Sequence, residues 1–265
     1  MIENNFKHVF SVSAYKESPY LDECVESLKK QRRQSEIIIC TSTPCDFIKN
    51  IAQKYEVPLY VRAGKSDIRD DWNFAYNTAD GDYVTIAHQD DVYDPLYTEE
   101  MHKKLKETDD SIMFLTDYIP LKNGKKGDRD INSKIRRLLR IPLKIRVLSK
   151  KKWVRKLTLA FGNSICCPSV TYNKSYLGEN VFSSEYKFNI DWDTFYKLAQ
   201  KEGSFAYADK PLVWYRIHDE ATSKAFIDNQ LRITEDTNMF RQFWPAWIVR
   251  LLMVFYRKAY DTYDS

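Results

Sequence analysis

"YVTIAHQDDVYDP" (residues 83–95) opens like the inside of a sheet and closes on groups that a strand end carries only for a reason. Tyr83, Val84, Ile86 and Ala87 are apolar, aromatic and β-branched types that suit a buried strand. His88, Gln89, Asp90 and Asp91 follow without a spacer, and Asp94 then Pro95 reads as a helix start, a capping oxygen before a proline. The stretch therefore reads as strand, polar turn, helix.

The same start signal recurs at Ser18–Pro19 and Thr43–Pro44, each behind a β-rich run. "HVFSVSAY" (8–15), "EIIICTST" (36–43), "PLYVRA" (58–63) and "SIMFLTDYIPL" (111–121) are the other predicted strands of the first half. Between them, Leu21, Cys24, Val25 and Leu28 fall on one helical face, and Phe47, Ile48 and Ile51 on another. Repeated β-turn-α units predict an α/β fold with a mostly parallel sheet flanked by helices. Ligands of such sheets bind beyond the carboxyl ends of the strands, and HQDD sits at one.

The 265 residues and 43% hydrophobic content support a substantial core. Residues 134–156 hold eleven Lys or Arg and no acid, so the net charge of +4 leaves −7 for the rest of the chain. "IRRLLRIPLKIRVL" (135–148) mixes apolar and basic residues and predicts a surface helix interrupted at Pro142, suited to an anionic membrane surface. "FRQFWPAWIVRLLMVFYRKAY" (240–260) repeats that style, broken by Pro245 and Arg250. Five cysteines without a CxxC pair, and "MIENNFKHVF" without a long apolar run, predict a reducing, cytoplasmic setting.

Adjacent Asp90 and Asp91 repel one another unless a cation or donors compensate, and hard divalent ions take such oxygens. His88 tilts the preference toward Mn²⁺ over Mg²⁺. Asp191 and Asp193 in "NIDWD" open a predicted helix, where a carboxylate either complements the helix dipole or acts as a general base. Arg216 and His218 in "WYRIHDEATS" follow an apolar run and suit a diphosphate and its metal. "VSAYKE" (12–17) offers Ser13, Tyr15 and Glu17 for a base and ribose, without a GxGxxG or P-loop pattern.

Taken in order, "VSAYKESPYLDECVESLKKQ", "EIIICTSTPCD", "DWNFAYNTADGDYVTIAHQDD", "NIDWD" and "YRIHDEATS" resemble a family 2 glycosyltransferase with the GT-A fold, over about residues 8–223. The resemblance implies a Rossmann-like domain over 1–223, with a nucleotide-sugar half (1–121), a basic helical insertion (122–160) and an acceptor half (161–223). A helical tail (224–265) follows. It points Ser13, Ala14, Tyr15, Glu17, Thr41 and Ser42 to the nucleotide. It aligns Asp71, Trp72 and Asn73 with a motif that usually carries an arginine, for whose charge Arg69 and Lys65 are the nearby substitutes. Asp90 inherits the metal ligand, with Asp91 and His218 as further ligands and Gln89 and Arg216 beside the donor. Asp191 inherits the base. The expected activity is metal-dependent, inverting transfer from a nucleotide sugar, UDP-sugar by default, to a glycan or polyprenyl-diphosphate-linked hydroxyl in bacterial cell-surface polysaccharide synthesis.

Two departures keep alternatives open. His88 stands where the metal motif usually has an acid, which allows a catalytically inactive nucleotide-sugar-binding scaffold or a metal hydrolase using His88, Asp90 and His218. "CTSTPCD" has hydroxyls where uracil-reading acids are usual, so thymidine and guanosine stay possible bases. A nucleic-acid-binding protein would use the basic block but leave HQDD, NIDWD and YRIH without a role. The expected setting is the inner face of the plasma membrane, reached through residues 134–156 and 240–260. The sequence does not give the oligomeric state.

Overall fold

The computed structural model describes residues 6–122, 125–127, 131–217 and 229–261. Nine strands form one mixed sheet: β1 (His8–Ala14), β2 (Glu36–Thr41), β3 (Leu59–Val61), β4 (Tyr83–His88), β5 (Val92–Tyr93), β6 (Ser111–Lys122), β7 (Lys125–Lys126), β8 (Val170–Asn173) and β9 (Ser204–Ile217). They run in the order β3-β2-β1-β4-β8-β6-β9-β5, with β7 on β6. The first four are parallel, as the β-turn-α pattern predicts. β8 enters antiparallel to both β4 and β6, and β9 lies parallel to β6.

Helices α1 (Leu21–Lys29), α2 (Asp46–Lys54) and α4 (Tyr97–Lys106) bury Leu21, Val25, Ile48 and Met101 against one face of the sheet. Helices α3 (Ile68–Thr78), α9 (Ile190–Leu198), α10 (Asn229–Arg241) and α11 (Ala246–Asp261) supply Ala75, Tyr76, Trp192, Phe195, Phe240 and Met253 to the other core. Along β1 the period of two is visible: Val9 joins the second core, and Phe10, Val12 and Ala14 join the first. Burial on both faces is why "EIIICT" reads as a continuous apolar run.

Two local expectations are corrected. The helices behind Pro19, Pro44 and Pro95 begin two residues later than the cap pattern implies, and at Ser18 and Asp94 the polar residue closes a turn first. Asp94 Oδ1 accepts the N–H of Leu96 at 2.9 Å, and the carbonyl of Ser18 accepts that of Leu21 at 3.2 Å. The stretch "SFAYADKPLVWYRIH" (204–218), whose Lys210–Pro211 suggests a strand and a turn, is one strand over Ser204–Ile217, and the register shifts near Asp117, opposite Pro211, accommodate the proline.

The basic insertion folds into α5 (Ile131–Arg140), a 3-10 turn (Ile141–Lys144), α6 (Arg146–Ser149) and α7 (Lys152–Leu157), with the break at Pro142. Much of its charge is paired with acids of the domain, and part of it faces inward. Arg140, fully buried, pairs with Asp117, and Arg137 and Lys144 both reach Asp209 at 2.9 Å. Lys150 pairs with Asp110, Lys152 with Glu202, and Arg146 with Asp109. Ile135, Leu138, Ile145, Val147 and Trp153 are left exposed instead. α8 (Lys174–Leu177) links β8 to the segment before α9.

Candidate active site

The carboxyl ends of β1, β2 and β4 come together because their register aligns Ser13 with both Cys40 and His88. Ser13, Ala14, Thr41 and Ser42 therefore line one edge, with Tyr15 and Glu17 exposed just beyond it. Lys16 takes a left-handed backbone (φ 52°), and its N–H donates to Thr43 Oγ1 at 2.7 Å, tying the end of β1 to the end of β2. Ala14 is buried, so at that position the edge offers backbone.

The next wall is a polar knot that the sequence reading missed. Arg62, just after β3, donates Nε to Asp71 Oδ1 at 2.7 Å, while Ser42 and Ser66 hydroxyls donate to Asp71 Oδ2 at 2.9 and 2.7 Å. The cation at this wall is thus Arg62. Arg69 pairs with Asp70 and reaches the Ser184 carbonyl, and Lys65 contributes its carbonyl to Arg62. Trp72 stacks on His88 with centroids 5.2 Å apart. Asn73 spends its amide on the backbone of Phe182, donating at 2.8 Å and accepting at 3.0 Å, which pins the 182 loop over α3.

At the tip of β4, the Asp91 N–H donates to the His88 carbonyl at 3.2 Å, folding HQDD into a tight turn. One candidate ligand atom from each of His88, Asp90 and Asp91 lies within 4.8 Å of the other two. Asp91 is fully buried; its Oδ1 accepts the Arg216 N–H at 2.8 Å, and its Oδ2 and His88 Nε2 are buried without a hydrogen-bond partner. Burial and the neighbouring Asp90 charge push the Asp91 carboxyl well above the usual carboxylate range. Burial lowers His88, keeping the imidazole in its neutral, metal-ligating form. Two orphaned buried acceptor atoms beside a second carboxylate fit a divalent cation, and the mixed imidazole and carboxylate set suits Mn²⁺. His218 lies outside the described residues. Arg216, expected at the donor, donates Nε to the Asp90 carbonyl at 2.8 Å, pairs with Glu23 and stacks on Tyr20 at 4.3 Å.

Asp191 lies in the first turn of α9. Burial raises the Cys166 and Cys167 thiols most, and the charges of Asp91 and Asp191 each add to the rise. Asp191 Oδ1 accepts the Trp192 N–H at 2.8 Å, and Oδ2 accepts Asn163 Nδ2 at 2.7 Å. Burial pushes its carboxyl up to about 6, against the opposing pull of these donors and of Arg136 from α5. Asp193 instead pairs with Lys197 one turn along the helix at 2.7 Å.

No curated protein sequence matches the chain. Among solved structures, S. aureus TarS 1-349 in complex with UDP-GlcNAc superposes with a TM-score of 0.64 at 17% identity, covering 93% of this chain and 70% of that one. Mannosyltransferase PcManGT from Pyrobaculum calidifontis, in complex with GDP-Man and Mn²⁺, gives 0.61 at 13% identity over 91% and 64%. At these identities the likeness shows a shared GT-A architecture. The family model described as glycosyl transferase family 2 matches residues 10–169, more than half of the chain and the whole run from β1 to the segment between Asp91 and Asp191, so the chain belongs to glycosyl transferase family 2.

Proposed function

We propose that this glycosyltransferase moves a sugar from a nucleotide-diphosphate sugar to a hydroxyl of a glycan or polyprenyl-diphosphate-linked acceptor, with inversion, in cell-surface polysaccharide synthesis. The observation that carries the reading is the cluster of His88, Asp90 and Asp91 at the ends of the parallel strands, supported by a second carboxyl, Asp191, raised by burial to about 6 in the first turn of α9. In it, Ser13, Tyr15, Thr41, Ser42 and the Arg62–Asp71 knot hold the base and ribose. Asp90, with Asp91 and His88 beside it, would hold a divalent cation that compensates the charge of the leaving diphosphate. Asp191 takes the proton of the acceptor hydroxyl as its oxygen attacks the anomeric carbon and the bond to the diphosphate breaks. A carboxyl near 6 suits that role, being ionised at neutral pH yet basic enough to accept a proton.

Calorimetric titration of UDP, dTDP and GDP, with and without Mn²⁺, into the native protein and Asp90→Asn tests the reading. It expects one diphosphate to bind with metal dependence that the substitution abolishes; folded protein that binds none of them would reject it. UDP is the diphosphate expected to bind.

The acceptor would be met at an anionic membrane surface. No described helix is long and apolar enough to cross a membrane. In support of a surface mode, Trp247, Leu251 and Val254 lie exposed on α11, and Ile135, Leu138, Ile145 and Val147 lie exposed on the insertion. The contact is therefore expected to be chiefly apolar. Triple replacement of Trp247, Leu251 and Val254 by Ser should reduce sedimentation with phosphatidylglycerol vesicles; unchanged sedimentation would remove α11 from the contact.

A further inference from the structure

Three consecutive backbone N–H groups lead into Asp191, and none has a helical partner. Residues Lys187, Phe188 and Asn189 precede the first turn of α9, where such groups are orphaned by geometry. A single carboxylate from α10 accepts all three. Glu235, 5% exposed, takes the Lys187 N–H at 2.9 Å on one oxygen and those of Phe188 and Asn189 at 2.9 and 3.0 Å on the other. Its neighbour Asp236 accepts Asn189 Nδ2 at 2.7 Å, so the helix start is gripped by backbone and side chain together.

A second brace meets the carboxylate from the opposite side. Asn163 donates Nδ2 to Asp191 Oδ2, and its Oδ1 accepts the Ile165 N–H at 3.2 Å. Only the amide oxygen can accept there, so the orientation of the Asn163 side chain is fixed by the backbone. The loop carrying Asn163 is itself clamped: Trp192 Nε1 donates to the Leu159 carbonyl at 3.1 Å, and Trp244 Nε1 to the Ala160 carbonyl at 2.6 Å. Gly162 (φ 121°) lies against Tyr256, whose hydroxyl oxygen a Cβ would meet at 2.7 Å and whose ring it would meet at 3.2 Å.

We propose that Glu235 and Asn163 are positioning residues for Asp191, Glu235 fixing the backbone that delivers it and Asn163 fixing its carboxylate, so that α10 belongs to the catalytic half of the molecule. The inference rests on the proposed role of Asp191 as the base. A burial-only role for Glu235 would require just one satisfied acid in the core, whereas three adjacent donors ending two residues before Asp191 direct the grip at that residue.

The test reads Asp191 directly and then reads turnover. Carbon-13 carboxyl titration of native protein, Glu235→Gln and Asn163→Ala gives the Asp191 midpoint without any donor. Asn163→Ala should raise that midpoint by about one unit, because a donor to the ionised form is lost. Glu235→Gln, which sets an NH₂ against a backbone N–H, should speed hydrogen exchange at residues 187–189 and move the midpoint by more than about half a unit. If those amides open while the midpoint holds, Glu235 is only structural and the proposal falls. Should Glu235→Gln not fold, Glu235→Asp, which keeps the charge and withdraws it by one methylene, is read the same way.

Release of UDP from UDP-GlcNAc and of GDP from GDP-mannose with Mn²⁺, the sugar passing to water, then separates this inference from the reading beneath it. Asp191→Asn should cost about 10² to 10⁴ in rate, and no loss would reject Asp191 as the base. Where that loss is seen, Glu235→Gln should lower kcat about ten- to a hundredfold with donor KM little changed, and should add nothing in the Asp191→Asn background. Full additivity there would overturn the proposal.

Discussion

Gln89 and Tyr15 exchange two hydrogen bonds: the Tyr15 N–H donates to Gln89 Oε1 at 2.8 Å, and Gln89 Nε2 donates to the Tyr15 carbonyl at 3.1 Å. The side chain thus acts as one more rung between the ends of β1 and β4, and it sets the height of the exposed Tyr15 ring over the strand ends. Gln89→Ala removes both bonds in a partly solvated place, where each is worth about 1 kcal/mol or less. The melting temperature should move by only a few degrees, while nucleotide affinity, which depends on a fixed Tyr15, should fall about tenfold, equivalent to about 1.4 kcal/mol. Calorimetry beside a thermal melt separates the two.

Asp191 should make the protein less stable than it could be. Its folded pKa of about 6 lies above the ordinary carboxyl value of 3.8, so the folded state binds the extra proton between these values. The associated stability is fully present below about 3.8 and is lost as pH rises through about 6. At pH 8 the ionised, partly buried carboxylate costs about 1 to 3 kcal/mol. Asp191→Asn should therefore raise the urea midpoint at pH 8 and show a much smaller gain at pH 4.5, while slowing transfer about 10²- to 10⁴-fold. An equal gain at both pH values would mean that ionisation is not the cause.

The opposite sign holds at the other end of the sheet. His8 is buried between Ser35 Oγ (2.8 Å) and Thr85 Oγ1 (2.9 Å), and burial with the nearby His102 lowers its pKa to about 3. Thr85 continues through Thr171 to the hydroxyl of Tyr97, so the imidazole ends a buried polar chain across β4 and β8. The unfolded chain takes up this proton near 6.5 and the folded one does not, so stability falls as pH drops from about 6.5 toward 3. His8 alone should cost about 2 to 3 kcal/mol between pH 7 and pH 4.5. Urea titration of His8→Gln against the native protein should show a shallower acid slope.

Much of this was readable because it is local. The apolar run of "YVTIAH" and the helical faces of α1 and α2 are each written within a few residues, so strand and helix follow from residue type and spacing, and the carboxylates of HQDD and NIDWD stand out as candidates beside them. Arg62, Asn163 and Glu235 were not readable in that way: their partners Asp71, Asp191 and residues 187–189 lie 9, 28 and 46–48 positions away, joined only by the fold. The "GN" of "FGNSICC" was the one cue to Asn163, a glycine for the positive φ followed by an amide. The ion pairs of the basic block were hidden for the same reason. Composition gives charge without direction, and the acids that absorb it, Asp110, Asp117, Asp209 and Glu202, are far from it in sequence.

That inward charge gives a contrast between two arginines nine residues apart. Arg155 is fully buried and donates to five carbonyls, those of Ser149, Lys150, Ala199, Lys201 and Gly203, so it ties α7 to the end of α9 and the start of β9. Arg146 makes one exposed pair with Asp109, with both side chains more than half in solvent. Lysine offers three donors from a single point and cannot span five carbonyls, so Arg155→Lys should cost about 2 to 4 kcal/mol and lower the melting temperature by several degrees. Arg146→Gln should stay within about 0.5 kcal/mol, as exposed pairs do. Equal losses at the two positions in urea titration would mean that the insertion is held by its net charge, whereas the expected inequality would assign its stability to the buried guanidinium.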